Sequence, residues 1–152
     1  MDRSETDTSE TDKAEELRRG SATSADSSAA SLWLDHAAIM TADLDPAVNF
    51  YTSLLGLRVN IVVPDPIRKG RRRAMLFDSN GRDVLEIIEM KELRHRVVPG
   101  AGAVHHLGFR FPTKDWSALR DRLQAREYPY EEVAGRLFVR DVDGLVLEIE
   151  PF

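Results

Sequence analysis

With 152 residues, the chain is long enough for one domain with a proper core plus a tail, and too short for two ordinary domains. It has no cysteine, which excludes disulfides, thiolate catalysis and sulfur-ligated metals and leaves imidazole and carboxylate as the metal ligands to look for. The net charge of -5 sits mostly in residues 1–31, so the remainder is nearly neutral and presents no broad basic face for nucleic acid, and no apolar run is long enough to span a bilayer.

Residues 1–31 are Ser, Thr, Asp, Glu and Ala with almost no large apolar side chains, a composition that cannot offset the entropy of ordering and is read as a disordered tail. A helix at Asp12 to Arg19 would lack an apolar stripe with which to dock. The start is acidic and hydroxyl-rich, unlike a signal peptide, so a soluble, cytoplasmic protein is expected.

From Trp33 the pattern becomes regular. Trp33 to Met40 reads as a strand, and Asp43 or Asp45 caps a helix with Pro46 in its first turn that ends near Leu55 at Gly56. Leu57 to Val63 is a strand broken by Pro64-Asp65-Pro66, and the basic run Arg68 to Arg73 is read as a solvated loop rather than an anion site. Arg73 to Asp78 and Val84 to Met90 form a hairpin across Ser79-Asn80-Gly81. After a linker at 91–101 the order repeats: strand Val104 to Phe111, amphipathic helix Asp115 to Arg126, short strands at Tyr130 to Val133 and Arg136 to Arg140, the turn Asp141-Val142-Asp143-Gly144, and a last strand Leu145 to Glu150. The expectation is an α+β domain over 32–152, made of βαβββ modules at 32–90 and 102–152 that form a curved mixed sheet with a concave cleft.

The repeat is also visible residue by residue. Leu34-Asp35-His36-Ala37-Ala38-Ile39 aligns with Val104-His105-His106-Leu107-Gly108-Phe109, and Val84-Leu85-Glu86-Ile87 with Val146-Leu147-Glu148-Ile149. Because strand side chains alternate, His36, Glu86, His106 and Glu148 all fall opposite the helix-packing set and face the concave surface. Two imidazoles and two carboxylates are costly to bury unpaired, and a divalent cation is the simplest way to satisfy them together. A bulge of one residue in the fourth strand would present Glu89 in place of Glu86. His105 is expected to pack or face solvent, Phe50 and Trp116 to lie in the core, and Asp141 and Asp143 to form a turn.

These segments resemble the vicinal oxygen chelate superfamily, which includes glyoxalase I, methylmalonyl-CoA epimerase, extradiol dioxygenases, and the fosfomycin and bleomycin resistance proteins. The resemblance lies in the histidine strands around His36 and His106, in Asn49-Phe50-Tyr51 through Leu55-Gly56-Leu57, and in Arg140-Asp141-Val142-Asp143-Gly144-Leu145-Val146-Leu147-Glu148, where Val142 and Leu145 replace the family's Pro and Asn. It implies a metal held by His36, Glu86, His106 and Glu148, with Zn, Ni, Co, Mn or Fe(II) all suited to such donors. It further implies a glyoxalase-like lyase or epimerase-like isomerase that stabilises an enediolate of a small oxygenated substrate. Glu148 would be the base, with Glu86 as runner-up, and Arg110 together with Arg73 would pair with a substrate carboxylate. The alternatives are a metal-free, bleomycin-resistance-type sequestering protein, an Fe(II) extradiol dioxygenase, and a fosfomycin-directed transferase, the last two disfavoured by Glu86. The resemblance also implies a homodimer, with sheets completed or exchanged between chains.

Overall fold

The computed structural model describes residues 34–152 other than Arg68 and Pro99. The tail at 1–31, the segment Asp12 to Arg19, and Trp33 at the start of the first predicted strand lie outside the described residues.

Each module begins with a strand and a helix and closes with three strands. The first comprises β1 (Ala37–Thr41), α1 (Leu44–Leu55), β2 (Arg58–Pro64), β3 (Arg72–Phe77) and β4 (Asp83–Glu89). The second comprises β5 (His106–Phe111), a 3-10 turn at Thr113–Asp115, α2 (Trp116–Ala125), β6 (Tyr130–Val133), β7 (Arg136–Arg140) and β8 (Val146–Pro151). The expected elements are therefore all present, although strand pairing begins later than predicted, at Ala37 and His106, and the second helix starts as the 3-10 turn.

Within each module the sheet is mixed, with orders β1-β4-β3-β2 and β5-β8-β7-β6. The first and last strands run parallel, and the other neighbours run antiparallel. The curved surface expected from the sequence is thus carried as two four-stranded halves, and among the described residues β1 and β5 each keep one edge unpaired.

Helix α1 forms because Asp43 accepts the amide of Asp45 at 3.2 Å, and it stops where Gly56 takes φ 74°, a left-handed turn that costs glycine little. Its buried residues Leu44, Ala47, Phe50, Tyr51 and Leu54 fall three to four apart and pack on Ala74, Leu76, Leu85 and Ile87. In the second module Leu119 and Leu123 join Leu137, Val139, Leu147 and Ile149 in the same core. Trp116 packs against this cluster only partly buried.

The same helix joins the two modules. The Phe50 ring meets Tyr128 edge-on at 5.0 Å, the Leu54 carbonyl accepts Arg122 Nε at 3.0 Å, and the Tyr51 hydroxyl donates to Asp141 Oδ2 at 2.8 Å. The other oxygen of Asp141 accepts the amides of Asp143 and Leu145, closing the predicted turn in which Gly144 has φ 92°. Burial raises the Asp141 carboxyl above the ordinary range, while burial and then the Asp141 charge keep the Tyr51 phenol protonated well above its usual value. A residue singled out from sequence as a turn-former therefore also ties the halves together.

Candidate functional site

Alternation along the strands puts one His–Glu pair on the concave face of each half. In the first, Leu85 and Ile87 are buried against the helix, so Glu86 turns the other way, alongside the exposed Ala38 and Met40 of β1. His36 immediately precedes β1, with Nε2 3.8 Å from Glu86 Oε2 and Nδ1 2.8 Å from Asp35 Oδ2. In the second half, Leu147 and Ile149 are buried, and Glu148 shares its face with His106, whose Nε2 lies 2.9 Å from Glu148 Oε2. The His106 Nδ1 is 2.8 Å from Nδ1 of the exposed His105. Both imidazoles thus use Nδ1 on the preceding residue and turn Nε2 to a glutamate, an arrangement that fixes ring orientation.

The other oxygen of each glutamate is held by an arginine. Arg73 donates to Glu86 Oε1 at 2.6 Å, and Arg136 donates to Glu148 Oε1 at 2.8 Å and to Glu150 Oε1 at 3.2 Å. Sequence reading placed Arg73 near the cleft and missed Arg136, Asp35 and Glu150. Matching the halves strand by strand would have found Arg136, since it occupies in β7 the place that Arg73 occupies in β3.

Glu89 does not enter the cleft. It is 1% exposed on the helix face, where it accepts Arg72 and, at 3.5 Å, the amide of Leu44 at the start of α1. The basic run divides: Lys69 and Gly70 lie in an exposed turn, as expected, whereas Arg71 pairs with Glu92, Arg72 with Asp45 and Glu89, and Arg73 with Glu86. Arg68 lies outside the described residues.

The Arg72 guanidinium holds the Glu89 carboxyl below the ordinary range against the opposing effect of burial, with Lys91 3.7 Å away. A carboxyl with a lower pKa folded than unfolded contributes stability above its unfolded pKa and loses it as the pH falls through its folded pKa. Thermal melting followed from about pH 6 to pH 2 should therefore show an acid limb that is shallower in Glu89→Gln than in wild type. Coincident limbs would show that this ion pair contributes nothing to acid stability.

Beyond the His–Glu pairs the two halves differ. At the position where Met40 stands opposite Ile88 in the first sheet, Arg110 stands opposite Glu150 in the second. The first half thus has a pocket of about 260 Å³ with a mainly apolar wall of Met40, Ile67, Ile88 and Met90 beside Glu86 and Arg73. The second has one of about 260 Å³ with Arg110, Arg136, Glu148 and Glu150 around Gly108 and Phe109. Arg110 is exposed, lies over the Phe152 ring at 5.6 Å, and has no carboxylate partner among the described residues.

The four expected ligands come as two pairs. Among the described residues no three His, Asp or Glu side chains converge closely enough to hold one ion.

This architecture, a repeated βαβββ unit with His and Glu at equivalent places, is matched by the sequence pattern of the Glyoxalase/Bleomycin resistance protein/Dioxygenase superfamily over residues 33–149. The chain belongs to that superfamily. Among solved structures the superfamily fold recurs in a glyoxalase/bleomycin resistance protein/dioxygenase domain from Frankia sp. EAN1pec, with TM-score 0.64 and 18% identity over 79% of this chain and 91% of that one. It recurs in the trypanothione-dependent glyoxalase I of Leishmania major, with TM-score 0.63 and 22% identity over 80% and 87%. A mutant of the Listeria monocytogenes fosfomycin resistance protein FosX, complexed with Mn(II) and dihydroxypropylphosphonic acid, matches with TM-score 0.59 and 16% identity over 78% and 90%. At these identities the likeness is one of fold. No curated protein sequence matches.

For this member of the superfamily, the donor chemistry fits a borderline divalent ion: each half offers one imidazole nitrogen and one carboxylate oxygen, turned towards each other on the concave face. No helix is long and apolar enough to cross a membrane among the described residues.

Proposed function

We propose that the protein is a divalent-metal-dependent enzyme of the glyoxalase or epimerase type, with His36, Glu86, His106 and Glu148 as ligands and the enediolate of a small oxygenated substrate as its intermediate. The observation that carries this reading is the duplicated His–Glu pair, with Nε2 facing Oε2 in both halves. Structural neighbours that include a glyoxalase I and a Mn(II)-complexed FosX support it. Each half alone supplies two donors, so a four-donor sphere requires first and second halves to meet. The unpaired edges of β1 and β5 suit a dimer in which one copy's first half meets the partner's second half.

When bound, the ion would act as a Lewis acid that stabilises negative charge on the substrate's neighbouring oxygens. Glu148 is the base that takes the proton alpha to the carbonyl, acting from the ligand shell, while Arg136 orients its carboxylate through Oε1. Glu86, in the other half, is the alternative base for the same proton. Arg110, lacking a carboxylate partner among the described residues, anchors an anionic end of the substrate. Met40, Ile88 and Ile67 accept its apolar body. A pocket of about 260 Å³ in each half limits that body to a small molecule.

Elemental analysis of the full chain by mass spectrometry, after dialysis and reconstitution with Zn, Ni, Co, Mn or Fe(II), tests the reading. Near-stoichiometric metal is expected in wild type, with a clear loss in His36→Ala and in Glu148→Ala. A wild type that takes up no metal under any of these conditions would sink the enzymatic reading in favour of a ligand-sequestering protein. Selectivity for Fe(II) with oxygen consumption on a catechol would instead move it to the dioxygenase branch.

A further inference from the structure

We infer that Arg73 and Arg136 are paired positioning residues, each holding one oxygen of a ligand glutamate so that only the other oxygen is presented to the ion; this rests on the four-ligand reading above. Their placement is the same in both halves. Met75 stands opposite Glu86 across β3 and β4, and Phe138 stands opposite Glu148 across β7 and β8. Arg73 and Arg136 each lie two residues before those partners, on the same face of the sheet and within diagonal reach of the glutamate.

The division of oxygens is also the same. Oε1 accepts the guanidinium and Oε2 faces the histidine, at 2.6 and 3.8 Å in the first half and at 2.8 and 2.9 Å in the second. The glutamate side chains are only 11% and 16% exposed, so each carboxylate needs a compensating partner. A guanidinium supplies that partner at every working pH and, being planar and rigid, restricts rotation of the carboxylate. With His36 Nδ1 on Asp35 and His106 Nδ1 on His105, each of the four donor groups has its second polar atom occupied, which leaves Nε2 and Oε2 as the presented pair.

Two effects of the arginine on metal affinity have opposite signs. As a nearby cation it would weaken binding, and its removal would tighten the metal; as a positioning group it strengthens binding, and its removal frees the carboxylate to turn away. The inference commits to the second effect. In the full chain, Arg73→Met and Arg136→Met should each weaken Zn(II), measured by chelator competition, by about 10–100-fold. Both should alter the visible absorption spectrum of the Co(II)-loaded protein, which reports ligand geometry. Arg73→Lys and Arg136→Lys, which keep a charged donor, should recover part of the affinity.

Melting of each metal-free variant checks folding. If the Met variants unfold, Arg73→Gln and Arg136→Gln retain a donor and should weaken the metal in the same direction. Wild-type affinity with an unchanged Co(II) spectrum, or tighter binding, overturns the inference and leaves the four-ligand reading standing. A wild type that binds no metal, with Glu148→Ala indistinguishable from it, removes that reading and the inference together.

Discussion

Two inactive variants should restore each other's metal site when mixed. A chain carrying His36→Ala and Glu86→Gln lacks the first-half donors, and one carrying His106→Ala and Glu148→Gln lacks the second-half donors, so neither should hold metal alone. If each site takes its first half from one copy and its second half from the partner, a heterodimer of the two contains one complete site and one empty of donors. Refolding the mixture and isolating the heterodimer through two different tags should therefore recover about half the metal of the wild-type dimer, with activity in proportion. The physical ground is that each half brings its His and Glu together, whereas within one chain no three such side chains converge among the described residues. If the isolated heterodimer holds no metal while wild type does, the halves that meet belong to the same chain and the shared site is wrong.

Phe50→Ala should lower stability by about 3–5 kcal/mol, a large part of the roughly 5–15 kcal/mol of a typical domain. Phe50 is 0% exposed, meets Tyr51 edge-on at 5.2 Å and Tyr128 at 5.0 Å, and so joins α1 to the second module. Its removal forfeits apolar burial and leaves a cavity that the surrounding strands cannot fill. Met40→Ala in the same module changes a residue that is 57% exposed and should stay within about 0.5 kcal/mol of wild type. Chemical denaturation with a common slope for the three proteins measures both. A Phe50→Ala midpoint close to that of Met40→Ala would mean that α1 is not the joint between the modules.

Much of the fold was legible because it repeats and because local chemistry decides it. The period-two alternation of Val84 to Met90 and Leu145 to Glu150 set which side chains face the helix, and burial of Leu85, Ile87, Leu147 and Ile149 follows that pattern. Asp43, Gly56, Asp141 and Gly144 marked the helix ends and the closing turn through their own side chains or backbone freedom. The outward turn of His36, Glu86, His106 and Glu148 came from the same alternation.

What the sequence by itself determined is therefore what depends on near neighbours along the chain: the two βαβββ modules, the helix caps, and the face on which each candidate ligand stands. Only the tertiary structure decided the partners. It put Arg73 on Glu86, brought Arg136 to Glu148, drew Glu89 under the start of α1 to Arg72, and set Tyr51 on Asp141, 90 positions away. It also gathered the four candidate ligands as two pairs. The physical reason is that an arginine, a tyrosine or a carboxylate has many compatible partners of similar local chemistry, and the choice among them depends on sheet register and on how the two modules pack, which no window of neighbouring residues contains.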